Sequence, residues 1–393
     1  MNALSKLLSL PDSEKTPLGL LHTPAEIAQQ PDTWLSTFEV FRRNRDRIQE
    51  FLERAGVGAS SSFRPTVFLI GAGTSDYVGQ SLTFGLRKSW GCEVIAVPST
   101  DLLTHMEDML LPGSRYLWIS FSRSGDSPEG VAVLERARKI RPDIHQLVIS
   151  CNGNGRMIRE STGQPQALSI SLDDAVNDRG LAMTSSFSNM VVFGQCLARA
   201  NDLVRYEEVL RRMVQAGREF LPLAADCASS LAKDGYTKAC FVGSGPLRAV
   251  ATESALKVLE LTAGKTLTIS ESVLGLRHGP MAALDKNTLF VCFLSGNRRI
   301  QRYERDLLDE IGSKGLVQSR VVVEAGGVSA TDSLAEHRLS LPGDIEDDYR
   351  PAVDVIFGQL LGLFFSLRWN LQPDCPSPNG AISRVVQNVS IHS

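Results

Sequence analysis

Two carboxylates and one ammonium group lie at helical spacing in the second half of the chain. Glu253, Lys257 and Glu260 stand at positions i, i+4 and i+7, so a helix would place all three on one face. His278 follows Glu260 by eighteen residues in an Arg-His-Gly-Pro sequence, where glycine and proline predict a turn. A carboxylate base, a nearby cation and a histidine on a turn are the groups that proton transfer on a sugar requires.

The same spacing has a second interpretation. A Glu/Lys/Glu series most often marks a solvent-exposed helix face, where ion pairs contribute little. The other positions of this segment are mostly Ala, Leu and Val, which favours a largely buried helix. Burial of the helix would therefore separate a candidate site from an ordinary surface.

A second candidate site is the polar loop 122–128, which follows an apolar strand and precedes a helix with Pro128 in its first turn. The hydroxyls of Ser122, Ser124 and Ser127 and the free N–H groups of the helix start would converge on one spot, as a phosphate requires. An ordinary serine-rich capping loop accounts for the same residues. The loop has no GxxxxGKS or GxxxxGKT sequence, which excludes a nucleotide-binding P-loop.

A glycine turn at 71–75 also enters a predicted helix. Asp76 stands where a dinucleotide-binding fingerprint has its third glycine, so this turn supports dinucleotide binding only weakly. The hydroxyls of Thr74 and Ser75 could instead add to the phosphate site.

The elements around these sites repeat along the chain. Short apolar runs alternate with helical segments, which predicts an α/β fold with parallel sheets covered on both faces. Gly71 matches Gly243 and Leu117 matches Leu289 at one common offset, which indicates an internal duplication. Serine hydroxyls are abundant in the polar loop of the first copy and mostly missing from the second. We therefore expect the first copy to bind phosphate and the second to supply the Glu253–Glu260 helix and His278.

The 393-residue length fits two domains. We predict a helical lead-in over residues 1–60, loosely ordered over residues 1–22. A phosphate-binding domain over 61–215 follows, and then a domain over 216–393 with the catalytic helix and the tail.

Composition argues against several classes of protein. The net charge is −3 without a basic run, so neither nucleic acid nor an anionic membrane is an expected partner. No segment is expected to span a membrane or act as a signal peptide, and the seven scattered cysteines fit reduced thiols of a cytoplasmic protein. The six histidines show no ligand spacing, so no metal or other cofactor is predicted.

Five motifs, taken in order, resemble the paired sugar-isomerase (SIS) domains of phosphosugar isomerases. They are GAGTS at 71–75, SFSRSGDS at 120–127, RGLAMTSSF at 179–187, ESALKVLELTAG at 253–264 and RHGP at 277–280. The chain is similar to the isomerase half of glutamine–fructose-6-phosphate aminotransferase over roughly residues 60–393. Its opening and closing segments look more like galactosamine-6-phosphate deaminase/isomerases. The resemblance implies two tandem, doubly wound, flavodoxin-like SIS domains.

The resemblance also implies binding roles. Leu181 and Ala182 would contact the sugar through their backbone. Arg384 is nearest to the position of a tail lysine that enters the aminotransferase site, although the tails differ. The phosphate would be held by Thr74, Ser122, Arg123, Ser124 and Ser127.

Catalytic roles follow from the same resemblance. Glu260 would move a proton between C1 and C2, Lys257 would stabilise charge and Glu253 would hold sugar hydroxyls. His278 would open the sugar ring. In the relatives this histidine reaches in from the partner subunit, which implies a homodimer with a shared active site.

The predicted reaction is the deaminating isomerisation of a 2-amino-2-deoxy-hexose 6-phosphate, with galactosamine 6-phosphate the favoured substrate. The aminotransferase has a glutaminase domain before its sheets, whereas about 60 residues precede the first sheet here, so ammonia production from glutamine is not expected. Two alternatives stay open. One is a plain aldose–ketose phosphosugar isomerase, and the other is a non-catalytic sugar-phosphate sensor.

Overall fold

The computed structural model describes residues 1–58, 64–326, 334–377, 379–386 and 389–392. Two compact units divide the chain. The first-sheet unit comprises 33–177, 185–206 and 382–393, and the second-sheet unit comprises 1–32, 178–184 and 207–381. The described residues of each unit contain one five-stranded parallel sheet.

This division differs from the predicted linear regions 1–60, 61–215 and 216–393. Residues 1–32 belong with the second sheet rather than forming a separate lead-in. One reason is a buried hydrogen bond of 2.7 Å from the Gln30 side-chain amide to Gln359 Oε1. The two side chains are more than three hundred residues apart in sequence, so local sequence patterns carry no sign of this contact.

The N-terminal segment is helical from its start. The Asn2 side chain caps the first helix by accepting the Ser5 N–H at 2.9 Å, and Leu4 and Leu20 are buried. The expectation of a loosely ordered segment over residues 1–22 is therefore wrong. The helices before the first strand are α1 (Ala3–Leu8), α2 (Asp12–Leu18), α3 (Thr23–Ala28), α4 (Gln30–Arg43) and α5 (Arg45–Arg54).

The first sheet has the strand order β2-β1-β3-β4-β5, with every pair parallel. Its central strand β3 is buried along its whole length, as expected for a strand covered on both faces. The elements are β1 (Thr66–Gly71), α6 (Thr74–Trp90), β2 (Val94–Pro98), α7 (Ser99–Met109), β3 (Tyr116–Ser122), α8 (Pro128–Ile140), β4 (His145–Ser150), α9 (Arg156–Ser161), β5 (Ala167–Ser171) and α10 (Ser185–Ala198).

The second sheet has the equivalent order β7-β6-β8-β9-β10. Two 3₁₀ turns, Gly275–His278 and Pro280–Ala283, lie between β7 and β8. The elements are α11 (Leu203–Ala232), β6 (Lys238–Gly243), α12 (Pro246–Leu261), β7 (Leu267–Ser272), β8 (Thr288–Phe293), α13 (Arg298–Ser313), β9 (Ser319–Ala325), β10 (His337–Leu341) and α14 (Pro351–Arg368).

The two sheets confirm the predicted duplication. One and the same offset along the chain separates the starts of β1 and β6, of β3 and β8, and of α6 and α12. Gly73 and Gly245, which precede these helices, have nearly the same backbone angles, φ 54° and ψ −127° against φ 57° and ψ −128°. Both sheets have the flavodoxin-like order 2-1-3-4-5, so the predicted doubly wound α/β class is confirmed.

Helix α14 corrects one expectation. Its 18 residues are long and apolar enough to cross a membrane by length and composition alone, whereas no segment of that kind was expected. Of its residues, 89% are buried, and the helix packs against α12 in the second-sheet unit. Burial on all sides explains its composition, because a helix that is apolar all round suits a protein core as well as a lipid bilayer.

Candidate active site

Helix α12 carries a buried ionic group. The Lys257 ammonium lies 2.6 Å from Glu260 Oε2 and 3.4 Å from Glu253 Oε1. Glu253 and Lys257 are fully buried, whereas the Glu260 side chain keeps 25% of its surface exposed. The predicted buried helix is confirmed and the alternative of an exposed face is wrong. The arrangement leaves one carboxylate open to a ligand and holds it beside a buried cation.

Close packing between helices buries this group. A Cβ atom at Gly358 of α14 would lie 2.3 Å from Ser254 Cβ, and one at Gly362 would lie 2.9 Å from the Lys257 carbonyl oxygen. Only glycine permits this approach. Charges removed from water in this way are costly unless they are paired, and two carboxylates share one ammonium here. Such costly groups cluster at functional sites, which supports a role in chemistry.

His278 lies on the predicted turn. It is the last residue of the 3₁₀ turn Gly275–His278, it is exposed, and Gly279 follows with a φ of 129°. The neighbouring Arg277 holds the turn through a 2.7 Å ion pair with Glu310 of α13. Within the described residues of one chain, His278 makes no hydrogen bond to the α12 ionic group. The structure thus confirms the turn and leaves the catalytic role of the imidazole a prediction.

In the loop after β3, all three predicted serine hydroxyls accept backbone N–H groups. Ser122 Oγ accepts the N–H of Gly125 at 3.0 Å, and Ser124 Oγ accepts that of Asp126 at 3.1 Å. Ser127 caps α8, as the capping alternative expected. A hydroxyl that accepts one hydrogen bond can still donate its own proton. Capping and anion binding are therefore compatible in this loop.

A neighbouring segment, not identified from the sequence, braces the serine loop. The Asn152 side-chain amide donates to the Ser124 carbonyl at 2.8 Å. The N–H of Arg156 donates to Asp126 Oδ1 at 2.8 Å, and Met157 N–H bonds the Gly125 carbonyl at the same distance. The signal available in the sequence was the polar turn that follows β4.

Thr74 and Ser75 begin α6 directly after β1 and are both buried. Strands β1 and β3 are neighbours in the sheet, so this turn and the serine loop leave the same carboxyl edge at adjacent positions. That edge is the switch point where ligands bind doubly wound sheets.

Arg384 lies against the serine loop within the first-sheet unit. The buried Arg123 guanidinium donates to the Arg384 carbonyl oxygen. The Arg384 guanidinium in turn donates to Asn177 Oδ1 at 2.6 Å. Two arginines of the predicted set therefore meet beside the predicted phosphate loop.

The predicted sugar-contacting residues lie on the loop 178–184 of the second-sheet unit. The Leu181 N–H donates to the Asp374 carbonyl at 3.0 Å, and Ala182 is buried. The amide of Leu181 is therefore engaged inside the protein. Contact of Leu181 and Ala182 with a sugar stays a prediction.

The equivalent loop of the second sheet is occupied by the protein's own carboxylates. Glu304 Oε2 accepts the Ser295 N–H at 2.8 Å, while Asp347 accepts the Gly296 N–H at 2.8 Å and the Ser295 hydroxyl. Burial raises the pKa of Glu304 to about 7, and the charge of Asp347 adds to the rise. Internal carboxylates thus use the donors that an anion would need, which fits the expectation that only the first copy binds phosphate.

This chain is similar to known proteins over nearly its whole length. The D-galactosamine-6-phosphate deaminase AgaS of Escherichia coli is 34% identical over 377 residues, covering 94% of this chain and 95% of that protein. A Streptomyces coelicolor protein provisionally given the same name is 39% identical over 375 residues, covering 95% and 96%. The chain belongs to the AgaS family. No model in a scan of protein families matches this AgaS-family chain.

A solved structure agrees with this membership. The Clostridium novyi NT protein provisionally described as a tagatose-6-phosphate ketose/aldose isomerase superposes with a TM-score of 0.91 at 28% identity, covering 97% of each chain. The resemblance to paired SIS-domain phosphosugar isomerases is confirmed. The AgaS-family chain is an enzyme of the phosphosugar isomerase and deaminase class.

Proposed function

We propose that this enzyme converts galactosamine 6-phosphate to tagatose 6-phosphate and ammonia. The observation that carries the proposal is the α12 ionic group, in which Glu260 is partly exposed beside the buried Lys257 ammonium. A sugar-phosphate sensor would have no use for this costly arrangement. The names of the E. coli and S. coelicolor relatives favour the same substrate.

The proposed reaction begins with the open-chain aldehyde, whose phosphate binds to the serine loop and whose ring His278 has helped to open. Glu260 removes the C2 proton, which the C1 carbonyl acidifies, the C1 oxygen takes up a proton from solvent, and an enaminol forms. Glu260 returns its proton to C1 and the amino nitrogen releases one proton to solvent, which leaves a ketimine at C2. Water then attacks C2, the C–N bond breaks, and ammonia leaves from a ketose 6-phosphate. Cleavage of that bond by water would make the enzyme a hydrolase.

Lys257 and Glu253 have supporting roles in the proposal. The Lys257 ammonium lies 2.6 Å from Glu260 and stabilises its negative charge, because charges interact strongly at this distance away from water. In the proposal it also stabilises the charge that develops on the C1 oxygen before that oxygen is protonated. The resemblance predicted that Glu253 would hold sugar hydroxyls, but its side chain is fully buried, so in this proposal Glu253 instead keeps the ammonium in place from the buried side.

The proposal is tested by measuring ammonia release from galactosamine 6-phosphate and glucosamine 6-phosphate side by side. Release from the galacto sugar supports it, and release from the gluco sugar alone would change the epimer. Isomerisation of tagatose 6-phosphate without ammonia from either amino sugar would establish the plain isomerase instead. That alternative is favoured by the name of the C. novyi structure.

Glu260→Gln should reduce ammonia release by about 10²–10⁴-fold, the usual contribution of a positioned base. Glu336→Gln is the matched control, because Glu336 is an arginine-paired glutamate of the same unit outside the proposed site. Circular dichroism checks that both variants fold. Near-normal turnover in folded Glu260→Gln would show that another group is the base.

We also propose a cytoplasmic homodimer in which His278 serves the partner's active site. The exposure of His278 on its turn supports this arrangement, because the imidazole is accessible to another chain.

A further inference from the structure

The loop 178–184 is supported by α3 of the second-sheet unit. Glu26 of α3 is buried, and its carboxylate accepts the N–H groups of Arg179 and Gly180. The Gly180 bonds measure 3.3 Å to both Glu26 oxygens. A Cβ atom at Gly180 would lie 2.8 Å from Thr23 Oγ1, so the loop backbone lies directly against the helix.

Asp374 joins the same loop to the start of α3. Its carbonyl accepts the Leu181 N–H at 3.0 Å. Its carboxylate accepts the N–H of His22 at 3.1 Å and both the N–H and the hydroxyl of Thr23 at 2.7 Å. The N–H groups of three consecutive residues, 179–181, therefore point at a support made of Glu26 and Asp374. This fixes the peptide groups immediately before Ala182.

The two ends of the loop 178–184 are joined by hydrogen bonds between Asp178 and Thr184. Asp178 Oδ2 accepts the Thr184 N–H at 2.7 Å, and Asp178 Oδ1 lies 3.1 Å from the Thr184 hydroxyl. The middle of the loop, which carries Leu181 and Ala182, thus depends on groups outside the loop for its conformation.

We propose that Glu26 is a positioning residue that holds the backbone of residues 179–182 in the conformation that contacts the sugar. This inference rests on the proposed function, because Leu181 and Ala182 are its predicted sugar contacts. Glu26 itself touches no reacting atom and acts only through the loop. A misplacement of about 1 Å in a substrate-positioning segment is enough to weaken catalysis strongly.

The charge of Glu26 provides a readout that a purely structural residue would lack. Burial raises its pKa to about 7, and the negative charges of Asp178 and Asp374, which face it, add to the rise. The ionised carboxylate accepts both loop N–H groups, whereas the protonated form turns one oxygen into a donor. The KM for the sugar phosphate should therefore rise as the pH falls below about 7.

The experiment compares full-length wild type, Glu26→Ala, Glu26→Gln and Glu304→Gln. Glu304 is the matched control, since it is a buried glutamate of the same unit that accepts a backbone N–H and has a pKa raised to about 7. Two quantities are measured: hydrogen exchange of the 178–184 amides, and KM and kcat for ammonia release from galactosamine 6-phosphate.

In Glu26→Ala we expect faster exchange in 178–184 and a KM raised about tenfold or more, as expected from losing hydrogen bonds to a charged group. Glu304→Gln should keep the wild-type exchange in this loop and the wild-type KM. Glu26→Gln retains one acceptor and the fold, and should lose the rise of KM below pH 7.

Wild-type exchange in the loop of Glu26→Ala, or a KM equal to that of Glu304→Gln, would overturn the inference. A KM that still rises below pH 7 in Glu26→Gln would also overturn the inference. If Glu26→Ala does not fold, Glu26→Gln alone tests it. Failure of the wild type to release ammonia would instead overturn the proposed function. In that case the exchange measurement still decides whether Glu26 holds the loop.

Discussion

At the scale of single residues, Lys257 is a buried cation of the second-sheet unit. Its ammonium is buried and lies between Glu253, which is also fully buried, and Glu260, which is partly exposed. Removing one member of a buried ion pair leaves an uncompensated charge, whereas removing both can be nearly neutral. The difference in burial predicts that Glu253 is a structural partner of Lys257 and that Glu260 is the carboxylate that takes part in the chemistry.

Lys257→Met should lower the free energy of unfolding by about 3–5 kcal/mol, because the buried Glu253 then loses the Lys257 ammonium. The double variant Lys257→Met with Glu253→Gln should recover most of that loss and none of the activity. Urea denaturation and ammonia release measure the two effects. Equal stability of the single and double variants would contradict the role of Glu253 as the buried counter-ion.

The carboxyl of Glu304 should make the stability depend on pH. Its pKa in the folded protein is about 7, against a usual value of 4.5, so the folded state holds a proton that the unfolded chain has lost. The contribution of Glu304 to stability is therefore fully present below pH 4.5 and is lost as the pH rises through about 7, by at most about 3 kcal/mol.

Glu304→Gln should consequently lose less stability than wild type between pH 5 and pH 8, as measured by urea denaturation at each pH. Glu336→Gln is the control, since Arg320 helps to lower the pKa of Glu336 and its titration lies below this range. If the stability of wild type and of Glu304→Gln depends equally on pH, the proton that the folded state binds is held by a group other than Glu304.

At the scale of elements, close packing against α14 sets the position of α12. Gly358 and Gly362 let α12 approach so closely that Ser254 and the Lys257 backbone fill the space where side chains would stand. Packing of the apolar helix α14 thus positions the ionic group of α12.

Gly358→Ala should destabilise the protein and reduce kcat, because the added methyl would lie 2.3 Å from Ser254 Cβ and would displace α12. Helix propensity alone would favour alanine over glycine by about 1 kcal/mol, so a loss of stability would have to come from the packing of α14 against α12. Gly58→Ala is the control, because its Cβ would make only an ordinary 3.8 Å contact with Glu53. Thermal unfolding and steady-state kinetics measure both variants, and an unchanged kcat in Gly358→Ala would separate helix placement from catalysis.

The loops after β3 and β8 show how one duplicated element acquires two uses. In the first sheet, serine hydroxyls of the loop accept backbone N–H groups of the same loop. This loop has the composition of an anion site. In the second sheet, Glu304 and Asp347 bind the corresponding donors. The duplication gives two equivalent edges, and because internal carboxylates take the donors of the second edge, we expect only the first edge to bind an anion.

At the scale of the whole molecule, neither unit is a continuous stretch of chain. The second-sheet unit takes residues 1–32 and 178–184 in addition to 207–381, and the first-sheet unit takes the tail from residue 382. The loop that carries Leu181 and Ala182 is one of these exchanged segments. The predicted sugar contacts therefore belong to the same unit as Glu260 and His278.

The shared-site homodimer makes a prediction for mixtures of variants. When Glu260→Gln and His278→Ala are unfolded, mixed and refolded together, each mixed dimer would carry one intact site, which restores up to about a quarter of the wild-type activity in a two-fold dimer. Each variant refolded alone is the control and should stay inactive. No restoration in a mixture shown to contain mixed dimers would mean that His278 serves its own chain.

The sequence by itself determined the features that arise from local patterns. Apolar runs alternating with helical segments predicted two parallel sheets, and the constant offset between matching positions predicted their equivalence, because strand and helix formation depend on residues close in the chain. The glycine turns and the serine loop were assigned to strand ends for the same reason. The spacing of Glu253, Lys257 and Glu260 placed them on one helix face.

The sequence predicted a largely buried helix, but only the tertiary structure decided which of its charged groups are buried and what holds them. Burial of Lys257 depends on glycines of α14 about a hundred residues away, and the Leu181 N–H bonds Asp374, which lies still farther along the chain. Residues 1–32 proved to be part of the second-sheet unit through contacts such as Gln30 with Gln359. Contacts between distant segments follow from packing and not from local pattern, so periodicity and motif spacing could not reveal them.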